Sequence, residues 1–372
     1  MPASGISLYI HWPFCASKCP YCDFNSHVAD SVDHDRWAQA LLSELGFFAG
    51  ETKGRTLTSI FFGGGTPSLM QPETAAALID AAKSHWKADK DLEVTLEANP
   101  STSETKRFQA FRDAGVNRLS LGVQSFRDQN LQFLGRGHTK TEAEDAIGMA
   151  AATFSRFSFD LIYGLPGQTV DDLAQDLDQA LQLAGGHLSV YQLSIEPGTA
   201  FHRDAVEATD EDTGAAMFEI CQQRLTDAGL PAYEISNHAG PGNECRHNLE
   251  IWRGGDYVGI GPGAHGHLTG EDGTDSIYQI HQPDRWLDAV ETQNHGTAKR
   301  QTLTPDERAE EVLMTGLRLT EGVRRDLAMR LDRDRLKRMV EGGFLVSDDA
   351  GVRVTATGRL CLNEVLRQLL VC

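Results

Sequence analysis

The chain has 372 residues, with 53 acidic against 34 basic side chains and a formal net charge of −19 at pH 7. That excess opposes a phosphate-backbone ligand, because nucleic-acid binders present a basic face. With 40% apolar and 23% charged residues it is an ordinary globular composition, and no apolar run approaches the length of a bilayer span.

Met1-Pro2-Ala3-Ser4-Gly5 carries neither a basic n-region nor an apolar h-region, so no export signal is expected and the cytoplasm is the expected compartment. A short apolar strand is predicted over 7–11. It runs into Cys15, Cys19 and Cys22, spaced C-x3-C-x2-C. Three thiolates this close can hold one iron–sulfur cubane. A cubane normally takes four cysteines, so one iron keeps an open position. The amino and carboxylate groups of S-adenosylmethionine (SAM) suit that position. A Cys3His zinc site using His11 or His27 is the alternative. Disulfides do not suit seven cysteines in a chain without an export signal.

Strands are predicted next over 59–62, 93–98, 118–122, 158–162 and 187–192. Helices are predicted over 33–49, 72–84, 103–114, 140–151, 170–184 and 210–228, with Ser103 as an N-cap and Gly115 as a C-cap. In the fifth helix Val170, Leu173, Leu177, Ala180, Leu181 and Ala184 recur at three- and four-residue steps, one helix face. Six βα units in a row predict an α/β fold, a partial (β/α)6 barrel with its ligands at the carboxyl ends of the strands.

Candidate site residues follow those strands. Gly63-Gly64-Gly65-Thr66-Pro67 comes after the second, where glycines let the backbone approach a ligand. Glu97 ends the third, in Leu96-Glu97-Ala98-Asn99-Pro100, and a carboxylate there suits a ribose or an ammonium group. Gln124 ends the fourth. Arg136, twelve residues on, has the geometry to pair a carboxylate bidentately. Asp160 lies inside the apolar fifth strand, where a carboxylate needs a partner. Each also has a plain structural reading as a turn, a cap or a surface ion pair.

Periodicity fails around 237–270, a Gly- and His-rich stretch read as an ordered loop or closing segment. Within it His247-Asn248 and Ile251-Trp252 place an imidazole near a flat aromatic. His is an axial ligand of haem iron. On these residues alone a hydrogen-bonded structural histidine is the better reading. Cys245 is a further candidate iron ligand, whereas Cys221, Cys361 and Cys372 read as ordinary thiols. From 304 on, a helix over 305–319, short helices over 326–331 and 335–342, a strand-turn-strand over 345–354 and a last helix to Leu370 read as a winged-helix-like module. The expected organisation is therefore a barrel over 1–236, a connecting segment over 237–303 and the module over 304–372.

Together, the cysteine loop, the Gly-Gly-Gly-Thr-Pro turn, Leu96-Glu97-Ala98-Asn99-Pro100, Gly122-Val123-Gln124-Ser125, Asp160-Leu161-Ile162-Tyr163-Gly164-Leu165-Pro166-Gly167 and the C-terminal module resemble the anaerobic coproporphyrinogen III oxidase family of radical SAM proteins. The likeness runs from Tyr9 to the last helix and is strongest to the haem-chaperone branch. Phe24 stands where the oxidase has one more cysteine, and only eight residues precede Tyr9 where the oxidase has a long extension. The branch motif H-N-x-x-Y-W is matched at His247, Asn248 and Trp252, with Ile251 in place of Tyr.

The resemblance implies a [4Fe–4S] cluster on Cys15, Cys19 and Cys22. It implies SAM contacts at Gly64, Gly65, Thr66, Glu97, Gln124, Arg136 and Asp160, with Tyr9 and Tyr21 nearby. It implies haem on His247. Tyr21 replaces an oxidase Phe that helps hold a second SAM, which leaves the number of SAM molecules open. Implied partners are haem, acceptor haem proteins of the respiratory chain and an electron donor for the cluster; nucleic acid is not among them. Peripheral membrane contact and a homodimer stay open. Three functions are thus weighed: a haem chaperone, an oxygen-independent coproporphyrinogen III oxidase, and a radical SAM enzyme with an unrelated substrate.

Overall fold

Alternation between small polar and large apolar residues builds the central sheet. In a computed structural model describing residues 5–370, the six expected strands form as β1 (Gly5–Trp12), β2 (Thr56–Gly64), β3 (Lys87–Ala98), β4 (Arg118–Gln124), β5 (Arg156–Tyr163) and β6 (His187–Gln192). The first residues, read above for an export signal, and Cys372 lie outside the described part. Neighbours pair in parallel in chain order. One face of these strands carries Leu8, Ile10, Ile60, Phe62, Leu96, Leu119, Leu121 and Phe159, all buried in one large apolar core. The other face carries Tyr9, Phe61, Glu97, Arg118, Ser120, Ser158, Asp160 and Ser189, which line an interior cavity of about 260 Å³. A two-residue period thus separates packing from ligand-facing positions.

The segment 237–303 departs from expectation. It forms β7 (Asn237–Ala239), β8 (Tyr257–Ile260), β9 (His265–Thr269), β10 (Thr274–Gln279) and β11 (Thr297–Leu303), with helices Arg246–Trp252 and Pro283–Gln293. All five strands join the same sheet, in the order β11-β10-β9-β8-β1-β2-β3-β4-β5-β6-β7. Because β8 runs parallel to β1, seven strands are parallel where six were predicted. β7 and β9–β11 are antiparallel, and the sheet stays open at β11 and β7. Glycine hid these strands. A Cβ on Gly259 would stand 1.8 Å from the His265 carbonyl oxygen, so the β8–β9 crossing requires the residue type that reads as loop.

A smaller correction concerns 103–114. Two short helices form there, Thr102–Thr105 and Phe108–Asp113, and Ser103 lies inside the first instead of capping it. Gly115, at φ +107°, follows the second.

The C-terminal part has its own apolar core, including Leu313, Leu317, Val323, Leu345, Val352 and Leu366. Its wing has three strands, Val323–Arg324, Gly351–Val354 and Leu345–Ser347, where two were predicted. Arg324, Arg325, Arg330 and Arg353 pair with Asp326, Asp349, Asp306 and Asp348.

Glu44 ties helix His34–Glu51 to the strand ends. Fully buried, it accepts from Gly261 N at 2.8 Å, Gly296 N at 2.6 Å and Trp286 Nε1 at 3.0 Å. Burial still pushes its carboxyl up to about 7. Removing it strands three N–H groups at about 1–3 kcal/mol each. Glu44→Ala is therefore expected to lose about 3 kcal/mol or more in urea unfolding; a loss under about 1 kcal/mol would show that water replaces the carboxylate.

Candidate functional site

The cysteine loop begins where β1 ends. Phe14–Cys15 pairs in parallel with His27–Val28, closing a loop that holds Cys19 and Cys22. Cys22 N donates to Cys19 O at 3.1 Å, a tight turn between the last two cysteines. All three cysteines are half-buried. The loop is held from β2: Gly65 N donates to Trp12 O at 2.7 Å and Thr66 N to Phe14 O at 2.8 Å. Gly64 and Gly65 are thus cradle residues. A Cβ on Gly64 would meet the His11 ring at 2.6 Å, and one on Gly65 would meet Phe14 O at 2.8 Å.

Hydrogen-bond donors already reach the sulfurs. Thr66 Oγ1 donates to Cys15 Sγ at 3.3 Å and Arg136 Nη1 to Cys19 Sγ at 3.4 Å. Burial raises the Cys15 thiol, and the Thr66 donor works against that. Such donors favour thiolate, the form that ligates iron. The donor set therefore fits an iron–sulfur cluster. The zinc alternative loses its nearer imidazole: His11 bonds Asn25 O at 2.9 Å through Nε2 and Tyr9 Oη at 3.0 Å through Nδ1. His27 Nε2 is taken up by Asn25 Oδ1 at 2.7 Å.

Arg136 reaches Tyr21 Oη at 3.5 Å and Gly122 O at 2.8 Å as well as Cys19. Its buried Nε has no partner. Gln124, at the end of β4, holds φ +71° with a large side chain, the kind of backbone outlier that concentrates at functional sites. Glu97 lies by Gly64 N, and burial, then the Asp160 charge, pushes it up to about 8. Burial takes Asp160 to about 6, against the pull of Ser189, Arg118 and Arg136. The structure thus gathers Tyr9, Glu97 and Asp160 around the lumen, and Thr66, Tyr21 and Arg136 against the cysteine loop.

His247 lines the same lumen, its ring 6.2 Å from that of Tyr9. Helix Arg246–Trp252 crosses the amino-terminal ends of the strands. Glu93, at 1% exposure, accepts from Arg246 N at 2.9 Å and His247 N at 3.3 Å and pairs with Arg156 at 2.7 Å. The helix is a floor, and His247 projects from it into the lumen, ring on ring with Phe61 at 4.9 Å. Its Nδ1 lies 2.9 Å from Ser59 Oγ, whose own hydroxyl donates to Ser7 Oγ at 2.9 Å. Ser59 has spent its one proton, so Nδ1 carries the hydrogen and Nε2 keeps its lone pair. That Nε2 is buried and has no hydrogen-bond partner among the described residues. Burial holds the ring neutral, down to about 3. Cys245, Asn248 and Ile251 also line the lumen, while Arg318 lies 5.1 Å over the Trp252 ring.

Sequence reasoning missed Ser59, Asn99 and Arg118. Asn99 bridges Thr66 and Arg136, and Arg118 lines the lumen and donates to Ser158 Oγ at 3.0 Å. Asn99 stood two positions after Glu97 in a segment already singled out; serine and arginine on strand faces gave no signal.

The radical SAM superfamily model matches residues 9–180 and the HemN C-terminal domain model residues 303–361. The heme chaperone HemW of Escherichia coli (strain K12) is 47% identical over 270 residues, covering 72% of this chain and 71% of its own. The heme chaperone HemW of Haemophilus influenzae is 38% identical over 379 residues, 98% of both chains. Among solved structures, coproporphyrinogen III oxidase (HemN) from Escherichia coli, a radical SAM enzyme, superposes with a TM-score of 0.84 at 22% identity over 99% of this chain and 90% of its own, a likeness of fold. With a cysteine loop, a polar lumen and a HemW relative matched over 98% of both chains, the chain belongs to the heme chaperone HemW family of radical SAM proteins.

Proposed function

We propose that the protein is a haem chaperone built on a radical SAM site: it binds haem and passes it to acceptor haem proteins of the respiratory chain. The observation that carries this reading is the buried Nε2 of His247, unpartnered among the described residues, on a neutral imidazole that lines the lumen, in a chain of the HemW family. That is the tautomer an iron ligand needs.

Cys15, Cys19 and Cys22 would hold a [4Fe–4S] cluster. Gly64, Gly65, Thr66, Glu97, Gln124, Arg136 and Asp160, with Tyr9 and Tyr21, would hold SAM. When bound there, the cluster supplies an electron to the SAM sulfonium. The residues of the chain bind and orient. Arg136 keeps one unpartnered N–H among the described residues, at its buried Nε, while its Nη groups face Cys19 Sγ, Tyr21 Oη, Asn99 Oδ1 and Gly122 O. Burial and the Asp160 charge push Glu97 up, which makes it the readier of the two carboxyls to hold a proton and Asp160 the readier acceptor. Half-buried thiols suit the reducing cytoplasm. Among the described residues no helix is long and apolar enough to cross a membrane.

A porphyrin is larger than the lumen of about 260 Å³. The floor helix Arg246–Trp252, held by Glu93, is the element that would have to shift for haem iron to reach Nε2. Anaerobically reconstituted protein is expected to retain haem on gel filtration without turning over coproporphyrinogen III. His247→Ala is expected to retain at least tenfold less haem while keeping the wild-type far-UV circular dichroism. Porphyrinogen turnover, or full haem retention by the variant, would overturn the reading.

A further inference from the structure

The donors on two of the three cysteine sulfurs lead to a single side chain. Thr66 Oγ1 donates to Cys15 Sγ at 3.3 Å, and Asn99 Nδ2 donates to Thr66 Oγ1 at 3.1 Å. Arg136 Nη1 donates to Cys19 Sγ at 3.4 Å, and Arg136 Nη2 donates to Asn99 Oδ1 at 2.5 Å. The chain of bonds runs from Cys15 through Thr66, Asn99 and Arg136 to Cys19 without a gap. Each end is set by the amide between them. With an Asn99 N–H on its oxygen, the Thr66 hydroxyl directs its one proton at sulfur. The guanidinium fixes which way the amide faces, since a flipped Asn99 would set donor against donor. Asn99 is itself anchored: its backbone N–H donates at 2.8 Å to Glu104 Oε2, a buried carboxylate that also accepts from the Ser68 and Ser101 hydroxyls.

We propose that Asn99 is a positioning residue of the cluster site, holding the Thr66 hydroxyl and the Arg136 guanidinium on the Cys15 and Cys19 sulfurs and thereby raising the reduction potential of the cluster. The proposal rests on the cluster reading above. Uptake of one electron adds one negative charge, spread in part over the cysteine sulfurs. Donors aimed at those sulfurs stabilise the reduced form more than the oxidised one. No proton is transferred, so only the orientation of the donors matters.

The test is an EPR-monitored redox titration of reconstituted protein without SAM, with dithionite supplying the electron. Asn99→Asp keeps the shape but presents two acceptor oxygens. It holds Arg136 and draws the Thr66 proton away from Cys15. Asn99→Ala is uncharged and releases both donors. Both midpoints are expected to fall by at least about 59 mV, a tenfold change in the one-electron equilibrium. Asn99→Asp should fall further, because it also adds a charge. Thr66→Val is expected to shift the same way, and its combination with Asn99→Ala to shift by less than the sum. A merely structural Asn99 would alter melting and leave the potential in place. Variants that hold a full cluster at the wild-type midpoint overturn the proposal. If neither variant keeps iron while the wild type does, at wild-type circular dichroism, the holding role stands. A wild-type protein that takes up no iron overturns the cluster reading itself, a distinct result.

Discussion

Serine at Cys15, Cys19 and Cys22 is expected to take the reconstituted protein from about four iron atoms per chain to none, with its charge-transfer absorbance lost. The effect is all-or-none. In the proposed site three thiolates are the whole protein ligand set, and a hydroxyl is a poor, largely protonated substitute at neutral pH. Each single Cys→Ser change should lose most of the iron, because two ligands on a half-buried loop do not hold a cubane against solvent. The fold should survive: the three positions lie outside the three apolar clusters, the third of which packs against Tyr21 within the loop, so far-UV circular dichroism should be unchanged. SAM binding should fall with the iron. Iron retained at wild-type level by the triple variant would remove the cluster assignment altogether.

The second large effect is expected from one methyl group. Gly64→Ala places a Cβ 2.6 Å from the His11 ring at a backbone φ of +114°, and Gly65→Ala places one 2.8 Å from the backbone oxygen of Phe14. The first costs about 1–3 kcal/mol of backbone strain and displaces His11, which loses its bonds to Tyr9 and Asn25. The second has no flexible neighbour to push aside. The clash falls on the backbone of the segment that carries Cys15, so the loop itself must move. Each variant is expected to lose about 2–4 kcal/mol in urea unfolding and to load iron slowly or partially. Gly137→Ala is the control, since nothing stands within 4 Å of its added carbon. Equal iron uptake by all three variants would show that the glycine turn does not shape the cysteine loop.

The glycine turn also shows what kind of information a sequence carries. The residues were singled out as a backbone approach to a ligand; the structure adds that they first admit the cysteine loop, through Gly65 N to Trp12 O and Thr66 N to Phe14 O. Both uses demand the same residue, so the pattern could not separate them. Strands β1 to β6 were legible because each has a run of large apolar residues on its outer face. β8 and β9 were not, because their close crossing at Gly259 removed the side chains that would have announced a strand. The helix over 103–114 was read as continuous because composition does not register the break between Thr105 and Phe108.

Cysteine spacing, the glycine turn, carboxylates at strand ends and the order of strand and helix were set by local chemistry, and local chemistry is written along the chain. Thiol ligation and close backbone approach depend on a few neighbouring residues, so those features could be read without coordinates. Tertiary structure alone decided that His247 rises from the floor of the lumen, that Ser59 fixes its tautomer from 188 positions away, and that Asn99 closes a path between two cysteines. Hydrogen bonds between distant strands have no signature in sequence, because their partners meet only after the sheet has brought them together.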